Sequence, residues 1–341
     1  MPVLFSPDGE LTSTNNAVVA PGYEEIKIGA PLGVELRNFF PGPNIKEWNN
    51  KAELMISSQV RLGPQDVPPP KRVNIMVMGY PFKNPEPILG VAGHNYGDMM
   101  LYYTKAYTGG RLGMTLRGTE LDKIGKKRFA AITNAMGQIG KLAMFSSAAP
   151  YLAAASIAVA TINLLVRAFS RNDPVLTVPT DLRFKPKNGG VLQAGRYLFW
   201  DGAPGWQTFA NQYEIDSSNI LVRKSDGAQY LERPYLVVEV DGQEKPSYAD
   251  FEIGAQSAEL LEQWGDKDAA STSLNAIVDL ARQVNDARQL GDAYSEVKNL
   301  RDADTDEERA LIKQKIKAHV DLMTDGNRDF IKDLLDSTIG G

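Results

Sequence analysis

Apolar and polar residues alternate with a period of two in several short runs, which is the pattern of half-buried β-strands. The clearest run is 52–62, in which aliphatic residues fall on one face and Glu53 and Arg61 fall on the other. Similar runs cover residues 72–78, 99–107 and 111–117. The last two flank Gly109-Gly110, a pair that suits the backbone of a tight turn, so we predict a hairpin there.

Strand patterns resume after Pro174 and are separated by turn residues. The candidate strands are 175–178, 182–185, 196–200, 220–224, 229–231 and 235–240. Short strands spaced by Asn-Gly and Asp-Gly pairs are typical of an antiparallel sandwich or barrel. Because neither 51–118 nor 174–254 offers many strands by itself, we predict that both form one antiparallel β-sandwich or a barrel-like variant of it.

Between these two stretches the hydrophobic period changes to that of a helix. Leucine, isoleucine and methionine recur at helical spacing from Leu121 to Ile139, and Thr119 with Asp122 resembles a capping box. Pro150, a residue that suits the first turn of a helix, opens a second, alanine-rich stretch. The pattern predicts a helical hairpin over residues 119–173, inserted in the β domain.

Residues 142–166 of this insertion contain no charged residue and are bracketed by Lys141 and Arg167. As a single helix these twenty-five residues would reach about 37 Å, enough for a bilayer core of about 30 Å. Pro150 interrupts the run, and its alanines, serines and Asn163 partition poorly into lipid. We expect the run to be buried in the protein or at an oligomer interface. The alternative is insertion into a membrane, conditional or permanent.

The two ends of the chain differ in character. Residues 1–50 are rich in proline, glycine and asparagine, so we expect an irregular N-terminal arm with one or two edge strands. From 255 to 341 the apolar spacing is helical, and Thr305 with Glu308 makes a capping box. The C-terminal region is therefore predicted to be an α-helical bundle, and the whole chain an α+β protein.

Composition narrows the chemistry of the chain. Its 341 residues are 43% hydrophobic and 23% charged, which is the range of globular proteins. The absence of cysteine excludes disulfides, thiolate metal sites and cysteine nucleophiles, and it fits a reducing compartment. The first residues have neither a basic nor a long apolar segment, so we expect no conventional signal peptide. We predict a cytoplasmic protein, delivered to or acting at a membrane if the insertion meets lipid.

Charge is unevenly distributed around a net value of −5. Residues 119–172 contain seven bases and two acids, whereas residues 247–341 contain twenty acids and eleven bases. Such asymmetry lets two regions or two subunits pack together, or marks a membrane-facing side. The basic candidates for phosphate contact are Lys123, Lys126, Lys127 and Arg128. The overall acidic balance argues against nucleic acid as a partner, and a solvated helix face is the simpler interpretation of these cations.

Few residues suit catalysis. His94 lies in a glycine-flanked stretch with Asp98. One hypothesis is that this pair performs acid–base catalysis, and the other is that His94 is a structural loop residue. His319 is expected to be a packing or surface residue. No nucleophile elbow, phosphate-binding loop or dinucleotide fingerprint is present in the sequence. A calcium site built from carboxylates near turns is a further hypothesis, and its candidate ligands are Asp201, Asp216, Asp226 and Asp241. Aspartate is also a favoured turn residue, which explains these positions without a metal.

These observations favour a non-catalytic interaction or assembly protein without a cofactor, in which the apolar hairpin and the acidic helical tail contact a protein partner or a second copy. A homo-oligomer is expected, because a buried apolar patch is a natural subunit interface. The candidate apolar contacts are Tyr151, Leu152, Ile157, Leu164 and Leu165. For Trp206 and Phe209, near a loop, core or sheet packing is the usual role of such aromatics, and an exposed contact tip is the alternative. The alternatives are a membrane-active effector that inserts the 119–169 hairpin, and a hydrolase that uses loop carboxylates near His94.

Overall fold

Antiparallel strands and three α-helices make up most of the described part of the chain, whose structure is a computed structural model. The structure describes residues 3–5, 11–13, 24–43, 52–62, 72–81, 86–89, 95–97, 99–109, 112–120, 174–182, 192–200, 206–248, 251, 272–324, 327–329 and 331–332. The predicted insertion lies outside these residues except for its first two positions, Thr119 and Glu120. The α+β class predicted from the pattern is confirmed.

The described strands, numbered in chain order, belong to four sheets. They are β1 (Val3–Phe5), β2 (Leu11–Ser13), β3 (Glu25–Ile26), β4 (Leu32–Phe40), β5 (Ala52–Leu62), β6 (Arg72–Tyr80), β7 (Asn95–Gly97), β8 (Met100–Thr104), β9 (Leu112–Glu120), β10 (Pro174–Leu182), β11 (Leu192–Gln193), β12 (Gly195–Trp200), β13 (Tyr213–Ile215), β14 (Leu221–Arg223) and β15 (Tyr235–Asp241). The helices are α1 (Trp206–Gln212), α2 (Thr272–Arg301) and α3 (Asp306–Asp321).

The larger sheet has six strands in the order β2-β1-β12-β15-β4-β8, and the second has five in the order β10-β9-β5-β6-β7. Two small sheets pair β11 with β3 and β13 with β14. Every pair of these strands is antiparallel. Both larger sheets therefore contain strands from before and after residues 121–173.

One hydrophobic core joins the two larger sheets. Alternate residues of β4, such as Val34 and Leu36, belong to the same buried cluster as Leu54 and Ile56 of β5. Because side chains alternate between the faces of a strand, one face of each sheet supplies this cluster. We call it the shared core.

Part of the other face of the six-stranded sheet is buried as well. Neighbouring positions on the central strands, among them Leu198, Trp200 and Tyr235, form a second cluster with residues of α1 and of the β13–β14 hairpin. A strand pair buried on both faces is expected to contain continuous apolar runs, as β12 and β15 do. The segment after residue 205 therefore forms a second layer on this sheet.

Helices α2 and α3 form an antiparallel pair next to the shared core. Ala318 and Leu322 of the α3 end belong to that core, and Asn285 of α2 donates a hydrogen bond to the Leu322 carbonyl at 3.0 Å. Thr305 caps α3 as predicted, because its side chain accepts from the Glu308 amide at 3.1 Å. Asp286 of α2 accepts from the Thr324 amide at 2.9 Å and so holds the chain after α3.

The N-terminal region contains more regular structure than an irregular arm. Residues 32–40 form a nine-residue strand inside the six-stranded sheet, paired with β15 and β8. Leu32, Val34 and Leu36 carry a period-two pattern. The prolines and glycines beside them mark the ends of this strand and not a continuous irregular segment.

The hairpin predicted around Gly109-Gly110 is wrong, although both of its strands exist. Strand β8 pairs with β4 in the six-stranded sheet, whereas β9 pairs with β5 and β10 in the other. Gly109 has a φ of 87°, so it does turn the chain, but it turns it from one sheet to the other. The two strands therefore have their partners in different sheets.

Candidate docking face beside the inserted segment

The inserted segment 121–173 begins and ends on two paired strands. Strands β9 and β10 are antiparallel neighbours with a register that runs from Thr119 opposite Pro174 to Leu112 opposite Leu182. β10 is the outer strand of its sheet among the described strands and contains Pro174 and Pro179, which cannot donate ladder hydrogen bonds. The insertion therefore joins the two strands at one edge of the five-stranded sheet.

Thr119 is part of β9 and not of a helix. It is fully buried and pairs with Met55 of β5 and Pro174 of β10. The predicted helical cap at this residue is wrong, because strand pairing continues through Glu120. The sequence signal at Thr119 resembles a cap since threonine favours both strands and helix N-termini.

Lys315 of helix α3 lies near the opposite end of β9. A Cβ at Gly109, which precedes β9, would lie 3.7 Å from Cε of Lys315 in α3 and 3.3 Å from Cδ1 of Ile28. A strand of nine residues spans about 26 Å, so the insertion leaves the sheet far from this contact.

The chain from 272 to 321 contains ten acids and eight bases, so most of the acidic excess of the C-terminal region lies outside the described residues.

The outer face of the five-stranded sheet, opposite the shared core, is buried beside the exit of the insertion. Met55 and Thr119, a cross-strand pair on this face, are both 0% exposed. Ser57 is 6% exposed, while its partner Arg117 is half-buried. We call these four residues, Met55, Ser57, Arg117 and Thr119, the outer patch.

Burial on this face decreases with distance from the exit. Gln59 and Thr115, the next pair along β5 and β9, are half-buried, and Gly113 is as well. Met55 belongs to none of the hydrophobic clusters that the described residues form. An outward-facing sheet surface is normally solvated, so complete burial of Met55 requires a covering layer.

The outer patch also contains polar atoms that need partners. The Ser57 hydroxyl donates a long hydrogen bond of 3.5 Å to the Arg117 carbonyl. Nε of Arg117 and Oγ1 of Thr119 are buried and have no hydrogen-bond partner among the described residues. A buried polar group without a partner costs about 1–3 kcal/mol, so this surface suits a cover that carries hydrogen-bonding groups.

Most of the contact residues predicted from the sequence lie outside the described residues. These are Lys123, Lys126, Lys127, Arg128, Tyr151, Leu152, Ile157, Leu164 and Leu165. Their role stays a prediction.

The predicted exposed tip at Trp206 and Phe209 is wrong for Phe209. Phe209 is 3% exposed, because its ring stacks on Trp200 at 4.8 Å and on Tyr213 at 4.7 Å between centroids. Trp206 is the first residue of α1. The sequence placed an aromatic pair near a turn, but the second layer on the six-stranded sheet buries Phe209.

The turn aspartates are engaged in protein contacts. Asp226 accepts from the Ala228 amide at 3.0 Å and pairs with Arg223, and Asp216 accepts from two amides of its own turn. Asp241 binds Nζ of Lys245 at 2.7 Å. No group of three or more histidines, aspartates or glutamates that suits a metal occurs in the described ranges, and Asp201 lies outside them.

The two histidines differ in what the structure describes. His94 lies outside the described residues, so the hydrolase hypothesis stays a prediction. His319 is buried in α3, and its Nδ1–H donates to the Gln289 amide oxygen at 2.8 Å. Burial lowers the pKa of His319, because the charged imidazolium loses hydration. The buried, hydrogen-bonded position of His319 between two helices corresponds to packing, one of the two predicted roles, and not to a surface position.

Among the described helices, none combines the length and apolar character that a membrane crossing needs. No protein-family model matches the chain, and no curated protein or solved structure matches it either. The outer patch was missed from the sequence. The signal that would have found it is the apolar Met55 on the polar face of β5, between Glu53 and Ser57.

Proposed function

We propose that the protein is a non-catalytic interaction protein that carries the segment 121–173 as its docking element for a second copy of the chain. Its two larger sheets form the layers of an antiparallel sandwich, which is the scaffold. The observation that carries the proposal is the pairing of Thr119 with Pro174, since it places both ends of the insertion on neighbouring strands. A segment held in this way extends from the scaffold without interrupting either sheet.

The composition of the insertion supports self-association. Residues 142–166 are uncharged, and a helix that is apolar nearly all round needs burial on more than one side. Eight alanines in this run suit close approach of two helices. A symmetric pair of such segments buries each on the other, as in common homo-oligomers.

The test is the mass of the native protein with and without a charge in this run. We expect the unmodified chain to be a defined oligomer in plain buffer by light scattering, and Ala158→Asp to shift it to the monomer, because an unpaired carboxylate is costly in an apolar interface. Ala310→Asp is the matched control, since Ala310 is exposed near the start of α3. A monomer for the unmodified chain, or an unchanged oligomer for Ala158→Asp, contradicts the proposal.

A second candidate function is insertion of this segment into a membrane. The exit of the insertion supports it, because Thr119 and Pro174 lie at the end of β9 away from Gly109, which is near Lys315 of α3. Lys123, Lys126, Lys127 and Arg128 then meet anionic head groups first.

Vesicle leakage separates this candidate from assembly. Vesicles of mixed neutral and anionic lipid, loaded with a quenched dye, should leak with the unmodified chain and not with Ala155→Asp or Ala158→Asp. Leakage retained in a folded Ala158→Asp variant, or no leakage with the unmodified chain, contradicts membrane insertion. A detergent-dependent change of mass supports lipid, whereas a defined oligomer in plain buffer supports assembly.

A further inference from the structure

The outer patch on β5 and β9 is largely buried, and it belongs neither to the shared core nor to the second aromatic cluster. The shared core occupies the opposite face of these strands, the second aromatic cluster lies on the six-stranded sheet, and Lys315 of α3 lies near the far end of β9. Met55 and Thr119 are nevertheless 0% exposed. We propose that the segment 121–173 of the same chain packs on the outer patch, so that in the free molecule one side of the insertion is docked on its own sheet.

The insertion leaves the sheet next to the outer patch. Glu120 and Pro174, the residues that flank the insertion, lie at the same end of the sheet as Met55 and Thr119. Burial on the outer face is complete next to these flanks and partial at Gln59 and Thr115. A cover that starts at the exit produces this gradient.

The chemistry of the insertion fits the surface that it would cover. Its uncharged run would bring aliphatic side chains and alanines to Met55. As a helix with a rise of about 1.5 Å per residue, even half of the run is long enough to cross several strands, since neighbouring strands are about 4.8 Å apart. The same run contains hydroxyl and amide groups at Ser156, Thr161 and Asn163. Such groups can bond the buried Oγ1 of Thr119 and Nε of Arg117.

Docking on the sheet leaves the other side of an apolar segment for a partner. The inference does not depend on the proposed assembly, because it concerns contacts inside one chain. Native mass reports the assembly, whereas accessibility at position 57 and crosslinks from Met55 report the docking.

Thiol accessibility tests whether the patch is covered in solution. The chain has no cysteine, so Ser57→Cys introduces a single thiol in place of a hydroxyl. Gln59→Cys is the matched control, since it lies on the same face of the same strand and is half-buried. We expect a maleimide to label Ser57→Cys at least about tenfold more slowly than Gln59→Cys in the native full chain, because reaction requires local opening. Equal rates overturn the proposal.

Photocrosslinking identifies the occupant. The full chain is produced with photo-methionine in place of methionine, irradiated in its native state and digested with trypsin, which releases residues 52–61 with Met55 as their only methionine. We expect this peptide to be joined to peptides from 121–173, and Met55→Leu to lose those products. Crosslinks from Met55 only to other segments overturn the proposal.

Mixing unlabelled and nitrogen-15-labelled chains before irradiation separates contacts within a chain from contacts between chains. Products in which the two joined peptides always carry the same isotope, with no mixed pairs, support the proposal. Products that mix the isotopes assign the cover to a second copy and overturn it, although they leave the proposed assembly intact. A monomeric chain whose Met55 crosslinks lie within one chain supports docking on the outer patch and contradicts the proposed assembly.

Discussion

The ring of Phe39 occupies the space that a side chain at position 118 would need. Phe39 is on β4 and Gly118 is on β9, so this contact joins the two larger sheets across the shared core. A Cβ built on Gly118 would lie 2.5 Å from Cζ and 3.0 Å from Cε2 of Phe39. The ring is 0% exposed, so it has little room to move away.

Gly118→Ala should therefore destabilise the fold by about 1–3 kcal/mol through overpacking. Gly291→Ala is a matched control with the opposite expected sign. Gly291 lies within α2, has nothing within 4 Å of an added Cβ, and should gain about 0.5–1 kcal/mol from helix propensity. Denaturant unfolding measures both changes. Equal stability of Gly118→Ala and the unmodified chain would show that the sheets are not in this close contact.

Removal of the Phe209 ring should open a cavity under the second aromatic layer. The ring stacks on Trp200 and Tyr213 and meets Tyr230 edge-on at 5.6 Å. Phe209→Ala should cost about 3–5 kcal/mol and shift the tryptophan fluorescence to longer wavelength, because water reaches Trp200. Leu231→Ala, at a side chain that is 41% exposed, should stay within about 0.5 kcal/mol of the unmodified chain. A similarly small effect for Phe209→Ala would contradict the burial of this ring and support the prediction of an exposed contact tip.

Stability should depend on pH through His319. Burial lowers its pKa, the carboxylates of Asp292 and Glu296 oppose that shift, and the cations of Arg288 and Lys315 add to it. In the unfolded chain a histidine has a pKa of about 6.5. Between that value and the lower folded-state pKa the unfolded chain binds more protons, so the free energy of unfolding falls as the pH drops below about 6.5.

Urea unfolding at several pH values from about 7.5 to 5.5 measures this dependence. His319→Gln should show a smaller loss of stability over this window than the unmodified chain. The chain has only two histidines, so His94→Gln is a control that keeps the buried one. The same loss in His319→Gln and in the unmodified chain would place the pH dependence elsewhere.

The capping contact of α3 is testable at a single hydroxyl. Thr305 Oγ1 accepts from the Glu308 amide, and the Glu308 carboxylate in turn accepts from the Asp304 amide at 3.3 Å. Thr305→Ala should cost about 1 kcal/mol, whereas Thr305→Ser keeps the acceptor and should cost less. Hydrogen exchange of the Glu308 amide should accelerate in the alanine variant. Unchanged exchange would mean that the hydroxyl does not cap the helix.

Local patterns predicted most of the described strands but not the partners of those strands. β5 and β6 follow the predicted runs closely, and β12 and β15 agree within one residue. Gly109-Gly110 matches a hairpin pattern, because two strands beside a glycine pair usually pair with each other. In the fold the two strands belong to different sheets, since β4 and β5 offer them partners that are distant in sequence.

The candidate docking face depends still more on distant residues. Thr119 and Asp122 match a capping box by spacing alone, and only the register with Met55 and Pro174 shows that Thr119 continues a strand. Phe209 stands near a turn in the sequence, yet three aromatic residues from other elements bury it. Spacing within a segment carries no information about which surface of another segment will face it.

The amino-acid sequence by itself determined where strands alternate, where α3 begins and that the segment 121–173 differs from its surroundings. These features depend on side-chain spacing along the backbone and on one capping hydrogen bond, which act over a few residues. Only the tertiary structure decided that Phe39 meets Gly118, that the apolar parts of β12 and β15 are buried on both faces, and that Met55 is buried. Those outcomes are set by close packing between residues far apart in the chain, and such packing exists only once the sheets have formed.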